Sequence, residues 1–583
     1  MTMKRLYITL LSLSSLFFIN CSDDYLDKNP ISDVSEESFF LTASDLELYT
    51  NGFYLMLPNS TARNEIFTYD SQCGDIVHNT LSDLMIGARI VPATGGGWNW
   101  GNLRNINYFL ENYERCEDEA AKNRFGGVAR FFRAYYYFGM VVNFGDVPWY
   151  DTTMEADDEG LYKARDSRQF VVDKILEDLD WAINNMGDEQ YAYEVSKFTA
   201  LALKSRVALF EGTFEKYHGI SGYEKYLEAA ADASEELMDT GVYSIYSTGN
   251  PNLDYADLFR AETAQTTEVI LAREYTEPLT NGHRANYYTL TGSQGRPGMP
   301  KSAVNSYLNS DGSRFTDQAD FNAVSFADET VDRDPRLAQT IRTPGYSRVG
   351  EGTALPPDLS FSITGYHITK FVTSSNSDGI NQNTNDLPVF RFAEVLLNFA
   401  EAKAELGTIT QDDLDRSIGL LRNRVGMPGL SMDDSNADPD DYQAMIYPNV
   451  SGANQGLLLE IRRERRIELY MEGHRWNDIR RWKVGQSITL PLRGIYLPGA
   501  GEYDLDGNGS IDTVIYEGDA PADQIAGAKY FKLGADIHLS ADNLIDPLPE
   551  FNTRSFNEDR DYLLPIPIQE LQLNPNLTQN PNW

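Results

Sequence analysis

The sequence predicts a mainly α fold, in which four helix pairs of tetratricopeptide-like length form a scaffold and long loop-rich excursions with short strands cover it. Three observations predict this. Apolar residues recur at i, i+3, i+4 spacing in paired stretches at about 125–186, 196–241, 387–426 and 456–485. Between and after them, at about 60–102, 242–386 and 486–583, Gly, Pro, Asn, Ser and Tyr dominate with little periodicity. No Pro/Gly/Ser linker divides the chain, so 21–583 reads as one large domain behind a signal peptide at 1–20.

In the first pair, Val128, Phe131, Phe132, Tyr135, Phe138 and Val142 share a stripe that Gly145-Asp146-Val147-Pro148 stops, and Leu176, Leu179 and Ile183 mark the partner helix. The aromatic run Phe131 to Phe138 reads as a helix–helix seam. The second pair carries Phe198, Leu201, Ala202, Ser205 and Leu209 on one face, then runs from Tyr226 to Met238 and closes at Gly241. The third extends through Leu396, Phe399 and Ala400 to Gly407 and restarts at a Thr410/Asp413 capping box ahead of Leu414, Ile418, Leu421 and Val425. The fourth begins near Leu457. There Ile461, Glu464, Glu468 and Met471 fall on one stripe, which turns acids inward and predicts neutralisation by Arg463, Arg475 or Arg480. This charged segment therefore reads as structural ion pairing and not as an RNA-binding surface.

Composition removes several function classes. Forty-nine basic against 87 acidic residues give a net charge of −38 and a pI near 4.5, a field that repels phosphate backbones, so nucleic acid is excluded as a partner. A hydrophobic content of 42% is too high for a disordered acidic chain, and 34 tyrosines exceed what a core needs, which suggests a contact surface. Three cysteines and six histidines, without C-x-x-C or H-E-x-x-H, give no support to a zinc site. Cys73 and Cys116 are either a disulfide or two buried thiols. No nucleophile-elbow sequence supports Ser/His/Asp catalysis.

At the amino terminus, Lys4 and Arg5 precede an apolar stretch from Leu6 to Ile19 that is too short to span a bilayer, and Cys21 follows, then Ser22-Asp23-Asp24. This is the pattern of a lipoprotein signal, with Cys21 as the acylated residue that anchors the chain to a membrane; a simple cleaved signal with an incidental cysteine is the alternative. Five segments complete the pattern: Cys21 to Pro30 (CSDDYLDKNP), Ala129 to Pro148 (ARFFRAYYYFGMVVNFGDVP), Leu387 to Gly407, Glu460 to Trp482 (EIRRERRIELYMEGHRWNDIRRW) and Tyr562 to Trp583 (YLLPIPIQELQLNPNLTQNPNW). In this order they resemble the SusD/RagB family of outer-membrane nutrient-binding lipoproteins, with Asn20 as a departure before the cysteine. The resemblance implies an α-rich fold on four tetratricopeptide-like pairs, an extracellular, lipid-anchored position on the outer membrane, and a lid over a TonB-dependent SusC-like transporter. It also implies capture of a glycan without catalysis.

The residues suggest where a glycan would bind. Gly95-Gly96-Gly97-Trp98-Asn99-Trp100-Gly101-Asn102 offers two indole faces, amides that match sugar hydroxyls, and glycines that permit close approach. No G-K-[ST] follows, so it is not a phosphate loop. Trp100 is alternatively a cap on the helix from Leu103 to Tyr113. Tyr287 and Tyr288, in His283-Arg284-Ala285-Asn286-Tyr287-Tyr288, lie in the loop-rich insertion where the resemblance implies a second aromatic wall, against plain packing as the alternative; Tyr69, Asp70, Arg296, Arg342 and Tyr346 are further candidates by their loop positions. Asp504, Asp506, Asn508, Ser510 and Asp512 fit the first nine positions of a calcium loop, although the twelfth is Ile515, leaving Glu517 or a remote carboxylate to close it. No other cofactor is required. Two competing readings stand beside it: an interaction scaffold without a small ligand, and a surface glycoside hydrolase, since among 87 carboxylates some pair falls at catalytic spacing by chance, although no local acid pair lies in an aromatic-rich loop near Trp98 except Asp70, Asp75 and Asp83.

Overall fold

Helices α1 (Ala43–Asn51) and α2 (Gly101–Asn112) pack on the 26-residue α3 (Glu119–Phe144) in the computed structural model, which describes residues 39–59, 65–155, 157–276 and 281–583. The predicted signal peptide and Cys21 lie outside the described residues. The side chain of Asp118 accepts from the Ala121 N–H to start α3, and Gly145, at φ 72°, ends it. Against α3 lies α4 (Arg168–Asn185); α5 (Lys197–His218) begins at a Ser196/Thr199 capping box and pairs with α6 (Glu224–Asp239). The loop-rich segment that follows holds β1 (Val269–Arg273) and α7 (Ala285–Leu290). It rejoins the scaffold through β2 (Leu387–Arg391), which pairs antiparallel with β1 and runs into α8 (Phe392–Leu406), a helix packed on α6.

The third pair differs in one respect from expectation. Its second member is two short helices, α9 (Gln411–Asp415), opened by the Thr410/Asp413 capping box, and α10 (Ile418–Arg424), broken at Ser417. The Ser417 hydroxyl donates to the carbonyl of Asp413, so a side chain takes an acceptor the helix would otherwise use. The fourth pair is α11 (Gln455–Glu468) and α12 (Arg475–Arg481), with α12 returning to α5. A small sheet beyond it contains β3 (Gly501–Tyr503), antiparallel to β4 (Thr513–Tyr516), and β5 (Lys529–Lys532), parallel to β4.

Scaffold helices share one large apolar core. The excursions are not merely draped over it: Phe67, Tyr255, Phe259, Tyr307, Tyr366 and Ile495 belong to a second core of their own. Cys73 and Cys116 are both buried free thiols, which settles the cysteine alternative against a disulfide.

Acids on α11 do turn inward, but their partners come from other segments than expected. Glu468 accepts from Arg424 (2.7 Å), Arg391 (2.7 Å) and Arg336 (3.0 Å), and Glu464 from Arg336 (2.5 Å) and Arg422 (2.8 Å). Arg391 also holds Glu268 and Glu472. Of the predicted partners, Arg463 pairs with Asp440 and Glu460, Arg475 donates to the Tyr447 hydroxyl, and Arg480 donates to the Val142 carbonyl. The network thus joins α10, α11, β2 and the excursion at one buried point. Burial would raise these carboxyls, yet the surrounding guanidiniums hold Glu464, Glu468 and Glu472 below the usual carboxylate range.

Candidate functional site

A cleft of about 1130 Å³ opens where α3, α5, α7 and α12 meet the segments 66–83 and 293–295. Its outer wall is a 3₁₀ turn, Ile66–Cys73, tied to the turn before α12 by Asp70, whose buried carboxylate accepts from the backbone N–H groups of Gly473 (3.1 Å) and Arg475 (3.2 Å). Burial, with Asp75 nearby, pushes the Asp70 carboxyl up to about 7. Gly473 sits at φ 79°, and a Cβ there would come within 2.9 Å of the Tyr69 ring, so glycine lets that side chain approach the turn closely.

On the opposite wall, the lone half-buried ring of the α3 stripe, Tyr135, faces the cleft with Phe138 and Val142, and Gly139 between them is exposed. Tyr288 from α7 shares a 2.6 Å hydrogen bond with His78 Nε2. Burial lowers His78 to about 4, so the imidazole is neutral at physiological pH and acts as a hydrogen-bonding partner, not a charge. Gln72, Asn79, Ser293 and Asn477 add polar groups at the rim and floor.

Charge in the cleft is unevenly compensated. Arg206 is held bidentately by Glu394 (2.7 and 2.6 Å), and Arg284 donates through Nε to one oxygen of Glu65 (2.7 Å). Arg480, at the base, donates only to the Val142 carbonyl (3.0 Å) and Asn143 Oδ1 (3.2 Å), rests 4.7 Å from the Trp476 ring, and makes no ion pair among the described residues. Burial, with Arg89 nearby, lowers its pKa to about 9. Carboxylates lining the cleft are few: Glu472 is locked to Lys370 and Arg391, and Asp83 is exposed at the rim. Two other hollows are less suited to a sugar chain. One, of about 40 Å³ beside Cys73 and Asp75, has room for little more than water; the other, of about 550 Å³ beside Gly312 and Pro428, has no aromatic side chain in its lining.

Comparison with known families decides what kind of molecule carries this cleft. The SusD family profile matches residues 267–583, more than half of the chain. The chain belongs to the SusD family. A second profile, described as "starch-binding associating with outer membrane", matches residues 24–209. SusD-like protein P2 of Formosa agariphila is 24% identical, covering 99% of both chains, and SusD-like protein P38 of the same organism is 23% identical over 84% of this chain and 94% of its own. Among solved structures, a SusD-like carbohydrate-binding protein of Bacteroides fragilis aligns with a TM-score of 0.70 at 22% identity, over 93% of this chain and all of its own. Another SusD-like protein of that organism gives 0.69 at 20%, over 95% and 100%. At such identities the structural likeness establishes the mainly helical SusD fold.

Within this SusD-family chain, the cleft gathers only part of the predicted site. Tyr69 and Tyr288 line it. Asp70 supports it from behind as a buried anchor, and Tyr287 stands beside it, its hydroxyl 3.2 Å from Ser293 Oγ. The glycine-flanked loop is elsewhere. Trp98 is only 7% exposed, edge-on to Phe144 (5.0 Å) and Trp100 (5.3 Å), so its faces are used in packing and not open to a sugar. Trp100 stands at the N-cap position of α2 without a side-chain capping hydrogen bond, and its half-buried ring packs among Tyr136, Tyr137 and Tyr150, outside the cleft lining. Asn99 Oδ1 accepts from the Gly101 N–H (2.9 Å), leaving Asn102 exposed on the first turn of α2, outside the cleft lining. Arg296 donates to the Leu359 carbonyl, and Arg342 donates to the Pro356 carbonyl (3.1 Å) while lying 5.5 Å from the ring of buried Tyr346. These three hold loops together. Sequence reasoning passed over His78, Asn79, Tyr135, Trp476 and Arg480 as residues lining the cleft, because they come from segments far apart in the chain and each alone reads as core or solvated surface.

Proposed function

We propose that this protein captures a glycan in the cleft between Tyr69, Tyr135 and Arg480 and, held to the outer membrane by a lipid on Cys21, passes it to a SusC-like TonB-dependent transporter. The observation that carries the reading is the cleft itself: aromatic rings and amides converge in an open space large enough for several sugar units. Ring faces stack on pyranose C–H faces, and Gln72, Asn79, Ser293 and Asn477 supply hydrogen bonds to equatorial hydroxyls. The family profile described as starch-binding and membrane-associated supports both the ligand class and the location. Among the described residues no helix is long and apolar enough to cross a membrane, which accords with a lipid anchor. The transporter as partner rests on family membership.

Binding without hydrolysis fits the carboxylates. Glycosidic cleavage needs two acids flanking the bond, one of them a proton donor with a raised pKa. Glu472 is held below the usual range by Arg391 and Lys370 despite its burial, and the raised carboxyl of Asp70 has both oxygens occupied by backbone N–H groups behind the wall. Arg480 adds a cation without a carboxylate partner, which favours glycans that bear an acidic group.

Affinity electrophoresis of residues 22–583 in gels with separate neutral, uronate-containing and sulfated polysaccharides tests the reading. Retardation by at least one glycan, with no new reducing ends on prolonged incubation, is expected. Unaltered mobility in every gel contradicts glycan capture, and released product contradicts binding without catalysis.

A further inference from the structure

The hairpin between β3 and β4 carries a cluster of acids that the glycan-binding reading does not use. Asp504, Asp506 and Asp512 each present an oxygen within 4.8 Å of the others, the span across a coordination sphere of about 2.4 Å radius. None of the three makes an ion pair with a Lys, Arg or His among the described residues. The turn is organised instead by backbone donors. Asn508 N–H donates to Asp504 Oδ1 (3.0 Å) and Asp506 Oδ1 (3.2 Å), Gly509 N–H to Asp504 Oδ2 (2.7 Å), and Leu505 N–H to Asp512 Oδ2 (2.9 Å).

A second observation is independent of the loop geometry. Asp506 is only 6% exposed, and its Oδ2 is buried without any hydrogen-bond donor. A buried carboxylate oxygen of this kind carries a desolvation cost that nothing among the described residues offsets.

We propose that Asp504, Asp506 and Asp512 bind a calcium ion that pins the β3–β4 hairpin to the body of the protein. Asn508 and Ser510, at the fifth and seventh places of the same turn, are positioned to add a side-chain and a main-chain oxygen. The twelfth place is Ile515, buried in β4, so the usual closing acid is absent. Glu517 does not replace it: it is exposed beyond the far end of β4, five residues and roughly 16 Å along an extended chain from Asp512. Water completes the sphere, which places the affinity in the weak range of extracellular calcium modules. Leu505, between two of the ligands, is buried in the second core, and Ala327 lies 3.7 Å from where a Cβ on Gly507 would stand. Filling the site therefore stiffens the contact of the hairpin with the excursion.

Titration of calcium chloride into EDTA-stripped protein, residues 22–583, by calorimetry tests this, with thermal melts in parallel. One ion per chain with a Kd of about 10⁻⁴–10⁻³ M, and a Tm that rises with calcium, are expected. Asp506→Asn and Asp504→Asn should each weaken binding at least tenfold, with a native circular dichroism spectrum and a cooperative melt in EDTA as the guard against a folding defect; wild-type calcium affinity in both variants overturns the assignment. Absence of both heat and Tm shift at about 10 mM calcium overturns the assignment. So does equal stabilisation by magnesium that both variants retain, which would mark a general ionic effect.

Discussion

Replacing Glu468 by leucine is expected to destabilise the protein by about 3–5 kcal/mol, read as a lower urea midpoint. Glu468 is fully buried and touches three guanidiniums, those of Arg336, Arg391 and Arg424, each itself buried. Removing the one carboxylate they share strands positive charge in a low-dielectric interior, which costs more than the pairing itself contributes. The same network sets the acid limit. The carboxyls of Glu464, Glu468 and Glu472 have folded pKa values below their unfolded values, so their contribution is present above the unfolded pKa of about 4.3 and is lost as pH falls through the lower folded values. Acid unfolding is thus expected below about pH 4, and Glu468→Leu should make it shallower. A loss under about 1 kcal/mol would show that water or rearrangement neutralises the arginines and that this joint does not hold scaffold and excursion together.

Gly139→Leu is expected to lower glycan affinity at least tenfold without loss of fold. Gly139 lies inside α3, is exposed, lines the cleft, and a Cβ built on it meets no heavy atom within 4 Å. Leucine is the better helix former by roughly 0.8 kcal/mol, so stability should hold or rise while the branched side chain enters the space between Tyr135 and Asn143. Retardation by the same glycan at wild-type strength, with Tm unchanged, would remove the cleft from the account. A Trp98→Ala variant makes a poor test of binding: that indole is buried against Phe144, and its loss acts on stability.

Legibility in the sequence followed the range of the interactions involved. The helix pairs were readable because i, i+3, i+4 stripes, the Thr410/Asp413 box and terminal glycines such as Gly407 are local signals. Burial of the acids on α11 was readable for the same reason, whereas their partners were not: Arg336, Arg391 and Arg424 reach Glu468 from separate segments, and spacing along one helix says nothing of them. The cleft shows this limit most sharply. Trp98 and Trp100 stand out in a glycine-rich loop, yet flexible flanks fit an indole folded into the core as well as one exposed. Tyr135 sits in an aromatic run whose neighbours Phe131, Phe132 and Phe138 are all buried, and only the three-dimensional path of 66–83 and 473–480 leaves its ring facing open space.

The central claim is that the glycan lies in this cleft, and a crystal structure of residues 22–583 with an oligosaccharide of the retarding polysaccharide tests it most directly. The account predicts sugar density between Tyr69 and Tyr135, with a hydroxyl or acidic group reaching Arg480. Density confined to the loop 95–102, or to any surface away from α3 and α12, would contradict it.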